Sequence, residues 1–299
     1  PEFDRTALQV LGCAARALLF DFPLGRGDFV TPYPGVDTFP APMAALENAV
    51  RMARGPANDN FQLALMADGD VWSWGFNNSN QLGRPEVINP NVTATPGPIP
   101  NSQVHDIIDV AAGSVFSMAL TAGGTLLVWG DNGWGQHGDA SDDGTWDPGI
   151  RGVTSLDLGC VVSIAAGNSH CAAVTSDGHV WTWGKNSSGQ LGYPSLPYPQ
   201  GIGVAKQVPG ITDAVAVAAG DSHTLVLRNN GIVMAFGDNG VGQLGDGTVG
   251  GSRSLPMPVT NLSNVQEVRA GAYHSLAILQ DGTVRGWGRG YVLGVDSNT

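Results

Sequence analysis

Three residue spacings in this chain could support chemistry. Gly133-x-Gly135-x-x-Gly138 and Gly240-x-Gly242-x-x-Gly245 match the glycine fingerprint that cradles a dinucleotide pyrophosphate. His170, His223 and His274 offer imidazole nitrogens to a metal. Asp139, Asp142, Asp143 and Asp147 gather carboxylates beside Trp134 and Trp146, and carboxylate oxygens are what calcium takes. None has the surroundings its chemistry needs. A dinucleotide fingerprint sits between a strand and a helix, whereas Asp139-Ala140-Ser141-Asp142-Asp143-Gly144 suits a loop. The histidines stand in equivalent places of separate repeats, where Phe61 and Phe116 fill the same slot. Ligands of one ion lie about 2 Å from it, so hydrogen-bonded structural histidines are expected instead. The acidic spacing fits no EF-hand loop and reads as a solvated loop or a partner-binding one. No Gly-x-Ser-x-Gly elbow, Walker loop or His-Glu-x-x-His occurs. No catalytic constellation, cofactor or metal is therefore expected.

What must position these residues is a repeat. Trp74-Gly75, Trp129-Gly130, Trp183-Gly184, Phe236-Gly237 and Trp287-Gly288 are spaced by 55, 54, 53 and 51 residues. Five residues before each aromatic stands a glycine: Gly69, Gly124, Gly178, Gly231 or Gly282. Asp68, Gly123, Asp177, Asn230 or Asp281 precedes it, giving the dipeptides of a two-residue hairpin. Upstream recurs a short apolar run ending in glycine, as in Ile164-Ala165-Ala166-Gly167. Downstream recurs a Gly-rich loop, as in Asn186-Ser187-Ser188-Gly189-Gln190-Leu191-Gly192. Each unit predicts strand, turn, strand, hairpin, strand and Gly-rich loop, then a Pro-rich link to the next. About four short strands per unit of roughly 54 residues predict an all-β propeller, because such a sheet buries both faces only by stacking on neighbours.

Five copies are clear over 55–299. A degenerate copy is expected over 1–54, where Thr6-Ala7-Leu8-Gln9-Val10-Leu11 aligns with Tyr273 to Ile278 and Pro42 to Gly55 aligns with Pro258 to Gly271. The alanines and leucines of 7–19 also permit a helix. The expected architecture is one domain over 1–299, with six copies detected and six or seven blades.

Charged residues make up 13% of the chain and hydrophobic ones 42%, a globular composition rather than a disordered one. The net charge is −12, and Lys185 and Lys206 are the two lysines. Such a chain has little with which to neutralise phosphates, so nucleic acid and anionic membranes are excluded as main partners. No apolar stretch is long enough to span a bilayer, and no signal peptide is visible. Cys13, Cys160 and Cys171 make no zinc spacing. Their odd, sparse count leans to a reducing, cytoplasmic setting, with one bridge and one free thiol as the alternative. Arg26-Gly27-Asp28 spells an adhesion tripeptide but falls where the repeat has a Gly-Asp loop. The sequons at Asn77, Asn91, Asn186 and Asn261 matter only in a secreted protein.

The repeat resembles that of the regulator-of-chromosome-condensation family. The carrying residues are Ala165-Ala166-Gly167-Asn168-Ser169-His170, Asp177 to Gly184 and Asn186 to Gly192. The resemblance implies a propeller, typically of seven blades, that binds a protein partner and is not an enzyme. It implies an interaction platform whose loops on one face carry recognition. Trp134, Asp139, Asp142, Asp143, Trp146, Tyr193 and Tyr198 are the candidate contacts, the acids steering a basic partner. It leaves two alternatives, nucleotide exchange on a small GTPase and a secreted inhibitor of another enzyme. The even spacing leaves little room for the inserted wedge of the founding exchange factor. Ultraviolet sensing is not expected, since Val115, Ser169, Ser222 and Tyr273 stand where that subfamily has tryptophan.

Overall fold

The predicted turns close hairpins, but not as the two-residue loops expected: only the glycine of each pair takes positive φ, and it ends a four-residue turn, as where the Gly69 N–H donates to the Met66 carbonyl at 3.0 Å and the Met66 N–H to the Asp70 carbonyl at 2.8 Å. Gly69, Gly124, Gly178, Gly231 and Gly282 have φ between +77° and +88°. At Gly178 a Cβ would also collide with the Thr212 carbonyl of the following link. The structure, a computed structural model, describes residues 46–56, 61–84, 92–100, 104–139, 151–152, 158–194 and 201–290.

Nineteen strands form five antiparallel sheets among these residues. The first joins β1 (Ala49–Arg54), β2 (Phe61–Met66), β3 (Val71–Phe76) and β4 (Val92–Pro98). The second joins β5 (Ile107–Ala112), β6 (Phe116–Thr121), β7 (Leu126–Gly130) and β8 (Arg151–Gly152). The third joins β9 (Val161–Ala166), β10 (His170–Thr175), β11 (Val180–Lys185) and β12 (Gly201–Gln207). The fourth joins β13 (Ala214–Ala219), β14 (His223–Arg228), β15 (Val233–Asp238) and β16 (Ser252–Pro258). The fifth joins β17 (Val265–Ala270), β18 (His274–Leu279) and β19 (Val284–Gly288). These are the blades of a propeller, one for each clear copy. The segment expected to hold the degenerate copy lies largely outside the described residues, as does Arg26-Gly27-Asp28. Its last strand, β1, pairs with β2 in the first sheet.

Both faces of an inner blade are buried, and strand alternation sends successive side chains to opposite neighbours. In the fourth sheet Val226 and Phe236 pack back on Ala172 and Val174. Leu225 and Leu227 pack forward on Val265, Val268 and Ala277. Every residue of β10 is buried as a result. Each fully buried valine, leucine or phenylalanine contributes roughly 1.5–3 kcal/mol, so the inter-sheet layers hold consecutive blades together. Outer strands β4 and β16 end in Pro96, Pro98, Pro256 and Pro258, which cannot donate to a further strand. Cys171 is a buried free thiol and Cys160 is disulfide-bonded.

Candidate functional site

Antiparallel pairing fixes which segments share a face. His170 pairs with Gly184, so the turn 167–169 and the Gly-rich loop after β11 lie at one end of the sheet. The hairpin 176–179 lies at the other. Phe61 with Gly75, Phe116 with Gly130, His223 with Gly237 and His274 with Gly288 pair in the same way, so the described Gly-rich loops and the described turns before the histidine slot form one face.

The repeat's polar residues are consumed in bracing that face. In each Gly-rich loop the asparagine Oδ1 accepts from the backbone N–H five residues on: Asn77 from Leu82, Asn132 from His137, Asn186 from Leu191 and Asn239 from Leu244, at 2.9–3.1 Å. The glutamine Oε1 accepts from the backbone N–H two residues back, as Gln136 does from Trp134 at 2.8 Å. The glutamine's own carbonyl then serves the next blade. It accepts from the indole of Trp129 (Gln81, 2.9 Å), Trp183 (Gln136, 2.7 Å) and Trp287 (Gln243, 2.9 Å). Gly138 passes so close to Trp183 that a Cβ would lie 3.0 Å from Nε1, which is why the loop ends in glycine. The fingerprint glycines are therefore turn and packing residues; Gly245 is followed by a loop and then β16, not by a helix.

The histidines brace the ring from the same side. His170 Nε2 lies 2.9 Å from Thr224 Oγ1, and the Thr224 hydroxyl donates to the Gln190 carbonyl at 2.9 Å. The hydroxyl proton is thus committed, so the imidazole donates through Nε2–H. His223, Ser275 and Gln243 repeat the relay at 3.0 and 2.8 Å. Burial lowers the pKa of both histidines to about 3, and the nearby His170 and His274 add to the effect at His223. Phe116, in the same slot, packs in one apolar cluster with Cys171. No group of three or more metal-ligating side chains is found among the described residues. Asn77 and Asn186 are buried in these braces, so their sequons are closed, while Asn261 is exposed and Asn91 lies outside the described residues.

Of the sequence-predicted contacts, Trp134 and Asp139 share the loop after β7. The Trp134 backbone lies against Gly201, and Asp139 bridges to Val204, so this loop rests on the outer strand of the next blade. The half-buried Trp134 ring carries the Lys185 ammonium 4.7 Å from its centroid. Tyr193 lies one blade on, half-buried, its hydroxyl donating to the Thr182 carbonyl at 3.4 Å. Arg84 makes the equivalent bond to the Ser73 carbonyl, and burial pushes the Tyr193 phenol up. Asp142, Asp143, Asp147, Trp146 and Tyr198 lie outside the described residues. The sequence reading missed Lys185 as the companion of Trp134. It stands in the column of Phe76, Asp131, Asp238 and Arg289 when the copies are aligned, and Arg289 likewise covers the Tyr273 ring at 4.3 Å.

A family model described as an RCC1-like domain matches residues 23–299. The human E3 ubiquitin-protein ligase HERC2 is 30% identical over 253 residues, covering 82% of this chain and 5% of HERC2. The guanine nucleotide exchange factor SRM1 of Saccharomyces cerevisiae is 30% identical over 286 residues, covering 87% of this chain and 57% of SRM1. The chain thus spans between a twentieth and somewhat over half of these relatives. Among solved structures, Prp20p from Saccharomyces cerevisiae superposes with a TM-score of 0.67 at 24% identity, over 81% of this chain and 56% of that one. Human WBSCR16 superposes with a TM-score of 0.69 at 23% identity, over 83% of this chain and 63% of that one. At these identities the structural likeness establishes the fold.

Proposed function

The chain belongs to the RCC1-like domain family, and from that premise we propose that it is a non-catalytic protein-interaction platform that engages its partner through the Gly-rich loop face. One observation carries this reading. The polar groups that recur from copy to copy are spent on bonds within and between blades, which leaves the loop side chains as the chemistry that differs from blade to blade. Trp134 is the anchor, an aromatic half-buried at a blade seam and topped by a cation, the composition of an interface hot spot. Asp139, Asp142, Asp143, Trp146, Tyr193 and Tyr198 complete the proposed contact set. Capture from a lysate of the source organism tests it, with wild type beside Trp134→Ala. A partner held by the first and lost from the second supports the reading. Identical retention by both counts against it.

The identity to SRM1 favours a second reading, nucleotide exchange on a small GTPase. Release of a fluorescent guanine nucleotide from the yeast GTPase Gsp1p, measured with and without this protein, separates the two. Acceleration supports exchange, and an unchanged rate leaves the platform reading alone.

A further inference from the structure

The first strands of the five sheets, β1, β5, β9, β13 and β17, wall a central cavity of about 180 Å³. Most of that wall is small or aliphatic, with Val162, Ala165, Val215 and Ala218 typical. Four ionisable residues break the pattern on one arc: Arg51 on β1, Asp109 on β5, and Glu267 and Arg269 on β17. We propose that this channel binds a small oxyanion, a phosphate- or carboxylate-bearing solute, between the guanidinium groups of Arg51 and Arg269.

The geometry separates the two signs of charge. Arg51 Nε contacts Asp109 Oδ1 at 2.9 Å, and Arg269 Nη2 contacts Glu267 Oε1 at 2.6 Å. The carboxylates are largely buried, at 13% and 11% side-chain exposure, whereas the guanidiniums keep 38% and 52%. All four side chains line the cavity, and in each pair the guanidinium is the more exposed partner. Each guanidinium has five N–H donors, and a single guanidinium nitrogen makes the ion-pair contact in each case. The remaining donors form a fork of the shape that carboxylate and phosphate oxygens accept. Two cations are also held near one another. Burial first, and the Arg51 charge after it, hold the Arg269 guanidinium below the usual arginine value, against the opposing pull of Glu267 and Asp109. An anion between the two relieves that repulsion. The volume admits a solute the size of phosphate or succinate.

The test is thermal unfolding of the full chain titrated with inorganic phosphate and, in a separate arm, with succinate, each against sodium chloride at matched ionic strength. The expected result is a saturable rise in melting temperature with at least one of the two anions and none with chloride. The arm that responds identifies phosphate or carboxylate as the preferred group. Arg269→Gln keeps the fold, because its side chain is half-exposed, and should raise the half-saturating concentration about ten-fold or more. Arg51→Gln should act in the same direction. No saturable rise in either arm, or an equal rise in Arg269→Gln, overturns the proposal.

Discussion

Replacing Trp183 by phenylalanine removes the indole N–H that spans the second and third blades, and replacing Trp129 removes its counterpart between the first and second. The two residues are matched in burial, at 0% and 1% exposure, so the lost volume is the same. What differs is the donor left behind. After Trp129→Phe the Gln81 carbonyl keeps the Ser117 hydroxyl at 2.7 Å. After Trp183→Phe the Gln136 carbonyl keeps the Cys171 thiol, a weak donor, at 3.5 Å. An unmet buried carbonyl costs about 1–3 kcal/mol. Trimming the ring in a packed core adds about 1–2 kcal/mol in both variants. Trp183→Phe should therefore cost about 2–5 kcal/mol and exceed Trp129→Phe by roughly 1 kcal/mol. Urea unfolding midpoints at constant slope read the difference. Adding Cys171→Ser to Trp183→Phe supplies a hydroxyl and should recover about 1 kcal/mol. Equal losses in the two single variants, or a further loss in the double variant, would refute the inter-blade bond as the source of the effect.

Three more outcomes follow from the same framework. Acid should weaken the fold well before the carboxylates protonate: His170 and His223 bind protons near pH 6.5 when unfolded but only near pH 3 when folded. Their stabilising contribution is complete above pH 6.5 and falls by about 2.7 kcal/mol per pH unit below it, two protons at about 1.4 each, so roughly 4 kcal/mol is lost between pH 7 and pH 5; a flat stability over that range contradicts the neutral relay. Gly178→Val should lower the melting temperature, since φ is +87° and a Cβ collides with the Thr212 carbonyl; an unchanged melting temperature counts against the turn. Trp134→Ala should abolish partner capture while the melting temperature stays near that of wild type, because the ring is half-buried at the seam and not in the core; a large drop makes it a packing residue.

Most of the architecture was readable because it is written in local signals. A hairpin needs positive φ at one residue, and Gly69 through Gly282 mark it at a fixed distance from each aromatic. The histidines' structural role was readable from Phe61 and Phe116 in the same slot. What was not readable depends on contacts between copies. Gln136 looks like one more polar loop residue until its Oε1 and its carbonyl are seen facing different blades. The pairing of His170 with Thr224, and of His223 with Ser275, joins neighbouring repeats and is visible only once the copies are stacked in space. Arg51 and Asp109 are 58 residues apart, and no local pattern marks them as partners. Of the contact set, Trp134 and Asp139 fall together on one loop. Tyr193, chosen for the same aromatic character, has its hydroxyl occupied by a backbone carbonyl.

Hydrogen–deuterium exchange on the complex with the captured partner tests the central claim most directly. Binding through the Gly-rich loop face predicts new protection in segments 131–139 and 186–194, with the hairpins 67–70, 122–125, 176–179 and 229–232 unchanged. Protection confined to those hairpins, at the opposite end of the same strands, would contradict it.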